Sequence, residues 1–107
     1  MDLQVGPEQP IIANEKGGLQ AKNIYAFHLI DSGSLFEMAK VLGEGAEKYA
    51  VDNWRKISSD DHYDHMQAHI LADKMGDKKD NHKGHALTRC MMWYATAIEE
   101  EKLGKVE

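Results

Sequence analysis

Five of the six histidines of this 107-residue chain lie in one stretch, DHYDHMQAHILADKMGDKKDNHKGHA, from Asp61 to Ala86. Five aspartates lie among them. Imidazole nitrogens suit zinc, manganese, iron and nickel, whereas carboxylate oxygens suit magnesium, manganese and calcium. A site that mixes these donors beside phosphate oxygens supports phosphoryl chemistry with manganese or magnesium. The stretch therefore predicts metal-assisted chemistry on phosphate, with solvated decoration and a pH-sensitive surface as the alternative interpretations.

Two predicted helices must position these side chains. The first begins near SSDD, where Ser58, Ser59 and Asp60 offer N-cap oxygens, and it ends at Gly76. The second runs from roughly His82 to Leu103. Side chains three or four positions apart share a helix face. One ridge, on the first helix, consists of His62, His65, His69 and Asp73. The other ridge, on the second helix, consists of His82, His85 and Arg89.

The short loop DKKDN between these helices predicts an antiparallel pair whose ridges face each other near Asp77 and Asp80. We expect a functional site there. His62, near the helix start, is expected to be exposed and structural, and no role is assigned to His28. The remaining polar side chains of the region are interpreted as solvated, with contact to a nucleotide's phosphates as the alternative for the lysines: Asp73, Lys78, Lys79 and Lys83.

A second stretch, KYAVDNWRK, places a tryptophan among cations. Trp54 is either a core residue or a base-stacking platform, with Arg55 and Lys56 as phosphate-binding cations beside Asn53. The residues alone favour neither interpretation.

The earlier part of the chain predicts an irregular N-terminal arm over residues 1–33, without a sheet. A helical domain follows over 34–103, and 104–107 form a tail. The helical domain opens with another helix, before the two that carry the histidines. This helix is expected to start at an N-cap on Ser34, with Glu37 completing a capping box. The apolar face of that helix comprises Leu35, Met38, Ala39, Leu42, Ala46 and Tyr49. The fold class is therefore all-α, a small three-to-four-helix bundle that we expect a homodimer or higher homo-oligomer to complete.

Composition excludes several classes of protein. The formal net charge is -5, which argues against a duplex-DNA binder, because such proteins need a basic face. Cys90 is the single cysteine, so no intramolecular disulfide forms, and a cytoplasmic setting is expected. The N-terminus has no signal-peptide pattern, and no apolar run approaches the ~18 residues that a transmembrane helix requires.

Several short motifs together resemble the dATP/dGTP diphosphohydrolase domains of phages and prophages, relatives of the MazG-like all-α nucleotide pyrophosphohydrolases. They are NEKGG, LGEGAEKYAVDNWRKI, DHYDHMQAHILADKMGD and DNHKGHALTR, which extend from about Asn14 to Ile98. The positions that match the family pattern are Ala46, Lys48, Tyr49, Asn53, Trp54, Arg55, Lys56, His69, Gly76, Asp77, Asp80, His82 and His85.

The resemblance implies a metal-dependent hydrolase that converts a purine deoxynucleoside triphosphate to the monophosphate and pyrophosphate, in the host cytoplasm if a phage encodes it. The implied metal is Mg²⁺ or Mn²⁺, with Zn²⁺ as a further candidate. The implied metal ligands are His69, Asp77, Asp80, His82 and His85, and the ridge on the first of these helices adds His65 as a further candidate ligand. The implied catalytic residues are His69, Asp77, Asp80 and His85. The implied substrate-binding residues are Lys48, Tyr49, Asn53, Trp54, Arg55 and Lys56.

The chain departs from MazG-like enzymes in the acidic motif that holds magnesium in that group. The nearest counterpart here is Glu44 and Glu47, followed after a gap by Asp61 and Asp64. The His-Asp dipeptide of HD-type phosphohydrolases is absent from the sequence. Two alternatives to the enzyme remain: a protein of the same fold that binds a nucleotide or nucleotide signal without hydrolysis, and a helical dimer whose histidines sense pH.

Overall fold

The computed structural model describes residues 10–104. In this range the chain forms three α-helices, α1 (Ser32–Lys48), α2 (Ser59–Lys74) and α3 (His82–Lys102). Two strands precede them, β1 (Ile11–Ala13) and β2 (Leu19–Ala21). Short 3-10 helices occupy Phe27–Leu29 and Asn53–Lys56, and the latter is called the Trp54 turn below. The predicted small, mostly helical fold is confirmed.

Contacts divide the chain into two units between Asp31 and Ser32. In the first unit β1 and β2 form an antiparallel hairpin in which Ile11 pairs with Ala21. The Asn14 side chain holds the turn, because its Oδ1 accepts hydrogen bonds from the Lys16 and Gly18 amides at 2.9 and 2.8 Å. The prediction of an arm without a sheet is wrong here, since strands of three residues are too short to show an alternating pattern.

In the second unit α3 is the central helix and packs against both α2 and α1. The predicted start of α2 is confirmed, because Ser58 accepts a hydrogen bond from the Asp61 amide at 3.2 Å. Its predicted end is confirmed as well, since Gly76 has a left-handed φ of 89°. At the start of α3, the Asn81 side chain accepts from the Gly84 amide at 3.2 Å. These two caps fix the ends of the loop that joins α2 to α3.

The start of α1 differs from the prediction. The helix begins at Ser32, two residues before the expected cap at Ser34. Glu37 reaches away from its own helix and accepts a hydrogen bond from Nδ2 of Asn81 at the start of α3. Gly84 makes this approach possible, because a Cβ at that position would lie 2.7 Å from Oε2 of Glu37. Glu37 therefore joins α1 to α3.

The helical unit has a thin apolar core. Val41 and Met66 are its buried hydrophobic residues, and Leu35 and Tyr49 of the predicted α1 face are exposed. Buried polar side chains occupy much of the interior, including Thr88, whose hydroxyl donates to the Gly84 carbonyl at 2.9 Å. Other large hydrophobic residues remain exposed in this unit: Phe36, Leu71, Met75, Leu87, Trp93 and Tyr94. Completion of the bundle by a second copy stays a prediction.

Within residues 10–104, no helix combines the length and apolar character that a membrane crossing requires.

Candidate metal centre and Trp54 cleft

The α2–α3 hairpin brings three potential metal ligands together. His69 lies on α2, Asp80 in the loop, and His82 at the first position of α3. One donor atom from each lies within 4.8 Å of the other two. His82 is buried, His69 is half-buried, and Asp80 is exposed, so the group opens to solvent on the loop side. Among residues 10–104 this is the only group of three or more histidine, cysteine or acidic side chains with such spacing. These three residues are called the metal group below.

The two imidazoles face each other through their Nδ1 atoms, which are 2.9 Å apart. Two nitrogens that bind one ion at about 2.1 Å and at right angles would be about 3.0 Å apart, so the pair has the separation of neighbouring ligands. Without an ion, one Nδ1 must donate a proton to the other. The donor set of two imidazoles and one carboxylate therefore fits a divalent metal ion.

Asp77 holds His82 in place from the other side of the ring. Its Oδ2 lies 2.5 Å from Nε2 of His82. Histidine ligands in proteins commonly donate their second N–H to a carboxylate, which fixes the tautomer and increases the basicity of the ligand nitrogen. The hydrogen bond from His82 also lowers the pKa of Asp77, so this carboxylate stays ionised. The structure thus places Asp77, a predicted ligand, against the Nε2 atom of His82 and outside the three-residue group.

The pKa of His69 is lowered, first by burial and then by the positive charge that His85 carries when protonated, against an opposing effect of Asp80. A lowered pKa favours neutral imidazole near pH 7. Neutral imidazole is the form that binds metal ions. The burial of His69 therefore favours the neutral form of its ring, the form that can bind an ion.

The remaining predicted ligands differ in their positions. The ring of His85 stacks on His69 with centroids 5.1 Å apart, and its Nε2 lies 3.6 Å from Oδ1 of Asp80. His65 is exposed on α2 and lies outside the three-residue group. The four acidic residues nearest to the MazG-like motif are all exposed and also lie outside it: Glu44, Glu47, Asp61 and Asp64.

We expect Asp77→Asn to weaken Mn²⁺ binding by about 10–100-fold, because an amide cannot supply the negative charge that polarises His82. Isothermal titration of metal-free protein with MnCl₂ measures the change. Asp73→Asn is the matched control, since Asp73 pairs with Lys83 at 2.9 Å and lies outside the three-residue group. Equal affinities for Asp77→Asn and the parent protein would contradict the proposed orientation of His82.

A cleft of about 380 Å³, called the Trp54 cleft below, is lined by the end of α1, the Trp54 turn and α3. Small-ligand sites in proteins commonly have volumes of roughly 300–1,000 Å³. Its walls include four predicted substrate-binding residues together with Arg89: Tyr49, Asn53, Trp54 and Arg55. Lys48 and Lys56 do not line it. The structure thus places most of the predicted nucleotide-binding residues around one cavity.

The Trp54 turn has a defined arrangement of charge. The guanidinium carbon of Arg55 lies 4.4 Å from the centroid of the Trp54 ring, and its Nε lies 3.5 Å from Asp52. One face of the indole is therefore already covered by a cation. Asp52 precedes the turn with a left-handed φ of 61°, which aspartate adopts more readily than most residues. Lys48 lies 5.3 Å from the centroid of the Tyr49 ring.

His62 is fully buried, so the prediction that it is exposed is wrong. Its Nε2 lies 2.9 Å from the Trp54 carbonyl and its Nδ1 2.9 Å from Nη1 of Arg89. Arginine only donates and a carbonyl only accepts, so Nε2 carries the proton and Nδ1 accepts. Sequence reasoning missed this link, although Met66, one turn later, is apolar and marks the inward face of α2.

The sequence model of one protein family, dATP/dGTP diphosphohydrolase, N-terminal, matches residues 14–105. The chain belongs to this family. Comparison with curated proteins and with solved structures finds no match. The dATP/dGTP diphosphohydrolase match covers the three helices, so it includes both the metal group and the Trp54 cleft. It confirms the family resemblance noted from the motifs.

Proposed function

We propose that the chain is a metal-dependent nucleotide pyrophosphohydrolase that converts a purine deoxynucleoside triphosphate to the monophosphate and pyrophosphate. One observation carries the proposal: His69, Asp80 and His82 offer three converging donors. The name of the family, which specifies dATP and dGTP, supports the choice of substrate. In the reaction a water oxygen bonds to the α-phosphorus, the bond from that phosphorus to the bridging oxygen breaks, and pyrophosphate leaves.

The roles of the residues follow from their contacts. His69, His82 and Asp80 would hold the ion, while Asp77 keeps the His82 ring fixed. A bound divalent ion neutralises phosphate oxygens and lowers the pKa of water. His85 stacks beside His69 and opposite Asp80, which suits an imidazole that takes a proton from the attacking water.

The cleft would receive the nucleoside. Tyr49 is 65% exposed, so its ring can stack on a base, and Asn53 offers both donor and acceptor groups in the lining of the same cleft. Arg55 lines the cleft and can meet phosphate oxygens. Lys48 and Lys56 lie outside the lining, so in this proposal they attract the triphosphate through their charge rather than through a fixed contact.

The donor set also favours one kind of metal ion. Imidazole nitrogen binds Mn²⁺ and Zn²⁺ better than Mg²⁺, which prefers oxygen ligands and keeps its water. Two of the three donors are imidazoles. Mn²⁺ accepts both these nitrogens and the oxygens of Asp80 and of a phosphate, so we propose Mn²⁺ as the preferred ion among the three candidates.

A product assay tests the function. The protein is incubated with each dNTP and NTP in Mg²⁺, Mn²⁺ or Zn²⁺, and the products are separated by ion-exchange chromatography. We expect monophosphate and pyrophosphate from purine deoxynucleotides, at lower concentrations of Mn²⁺ than of Mg²⁺. Orthophosphate as the first product, or no product from folded protein, would refute the proposed reaction.

A nucleotide-binding protein without hydrolytic activity is the second candidate. It is favoured by one observation, the exposure of Glu44, Glu47, Asp61 and Asp64, which leaves the MazG-like acidic motif unassembled in residues 10–104. Calorimetric binding of a nucleotide by protein that yields no product would support it over the enzyme.

A further inference from the structure

Arg89 has an unusual electrostatic setting. Its side chain is half-buried on α3, lines the Trp54 cleft, and donates from Nη1 to the neutral Nδ1 of His62. The salt bridges within 4.0 Å in residues 10–104 do not include Arg89. Burial lowers its pKa, while Tyr49 and Asp61 act on it only as nearby charges that raise it. A half-buried cation without a carboxylate partner is costly unless an anion completes it.

We propose that Arg89 binds a phosphate of the nucleotide in the Trp54 cleft, and that His62 positions the guanidinium for that contact. The identity of the ligand rests on the proposed function. The site itself rests on the cleft, on the burial of Arg89 and on its hydrogen bond to His62.

The position of Arg89 along α3 supports this role. It follows His85 by one turn and His82 by two, on the same face of the helix, about 10 Å along the axis from His82. Along α3, Arg89 therefore lies between His82 of the metal group and the other residues of this helix that line the cleft.

His62 fixes the guanidinium through a relay of two hydrogen bonds. The Trp54 carbonyl accepts from Nε2 of His62 and Nδ1 of His62 accepts from Arg89, each at 2.9 Å. The relay ties the Trp54 turn to α3 and uses only one of the several N–H donors of the guanidinium. The other donors are available for the paired hydrogen bonds that arginine forms with phosphate oxygens.

Isothermal titration with the α,β-methylene analogue of dGTP, in Mn²⁺, tests the contact without turnover. We expect Arg89→Gln to weaken binding of the analogue by about 10–100-fold, the loss of a charge-assisted hydrogen bond. Binding of 2′-deoxyguanosine should stay within about twofold of the parent protein, because the nucleoside has no phosphate. Lys102→Gln removes one charge from an exposed site on the same helix and is the matched control.

Two further variants examine the relay. His62→Gln keeps an acceptor for Arg89 and a donor for Trp54, so we expect it to retain affinity for the analogue, whereas His62→Leu should lose affinity. Arg89→Lys keeps the cation without the planar fork and should bind with intermediate affinity. Circular dichroism checks that each variant is folded. If Arg89→Gln does not fold, Arg89→Lys still tests the contact.

The proposal is overturned if Arg89→Gln binds the analogue as tightly as the parent protein, or if it loses nucleoside and analogue binding equally. The product assay on the parent protein stays separate from this test. Hydrolysis with unchanged binding by Arg89→Gln would refute only the role of Arg89. Binding that depends on Arg89 in protein without turnover would refute only the hydrolase.

Discussion

His69→Ala should abolish turnover, lowering kcat/KM for dATP or dGTP by on the order of a thousandfold or more. The variant removes one of three converging donors, and it leaves the Nδ1 atom of His82 without the partner that lies 2.9 Å away. His69 is half-buried on a helix whose core residue is Met66, so the fold should survive. Steady-state kinetics and far-UV circular dichroism measure the two effects.

Two other variants separate the roles in this prediction. His85→Ala should also lose turnover but keep its bound Mn²⁺, because His85 lies outside the three-donor group. His28→Ala removes an exposed histidine from the first unit and should behave as the parent protein. Full activity of both His69→Ala and His85→Ala would refute the proposed active site.

Acidification should destabilise the metal-free protein through His62. Burial is the main cause of its lowered pKa, and the nearby charge of Arg89 adds to the effect against an opposing hydrogen bond to the Trp54 carbonyl. The unfolded chain then binds more protons than the native protein in the interval below the ordinary histidine pKa of about 6.5. The contribution to stability is complete above that pH and is lost as the pH falls toward the native pKa. Urea unfolding between pH 7.5 and 5 measures it.

His62→Gln isolates this contribution from that of His69, whose pKa is lowered too. Glutamine does not titrate, so the variant lacks the proton that His62 takes up on unfolding. The slope of its free energy of unfolding against pH should therefore be smaller, by up to about 1.4 kcal/mol per pH unit. The difference between the two curves is attributable to position 62. Parallel curves for the variant and the parent protein would contradict the neutral, buried state of His62.

The ends of the two site-bearing helices could be predicted because the signals there are local. Ser58 and Gly76 act through the backbone within a few residues, and α3 begins at His82 as its pattern indicated. The facing of the two histidine ridges followed from helix periodicity and the short loop, and the contact of His69 with His82 agrees with it. Helix periodicity and the short loop were thus enough to predict that the two histidines of the metal group meet.

The features that escaped prediction depend on contacts distant in sequence. Glu37 fits a capping box by spacing, yet it bonds Asn81, which lies 44 residues later. Arg89 belongs to the predicted ridge on α3, but its partner His62 is 27 residues away and was expected to be exposed. Such pairs depend on how α1 and α2 pack against α3, and the pattern of a single helix does not contain that information.

The donors of the candidate metal centre all come from one helical hairpin, and His69 and His82 are separated by only 13 residues. Loops of about ten residues close within roughly 10–100 ns, so such neighbours meet early when the chain folds. An ion at a hundred times its dissociation constant would stabilise the native hairpin by about 2.7 kcal/mol. In a domain with so few buried apolar side chains, the ion would stabilise the packing of α2 against α3 after the two helices form.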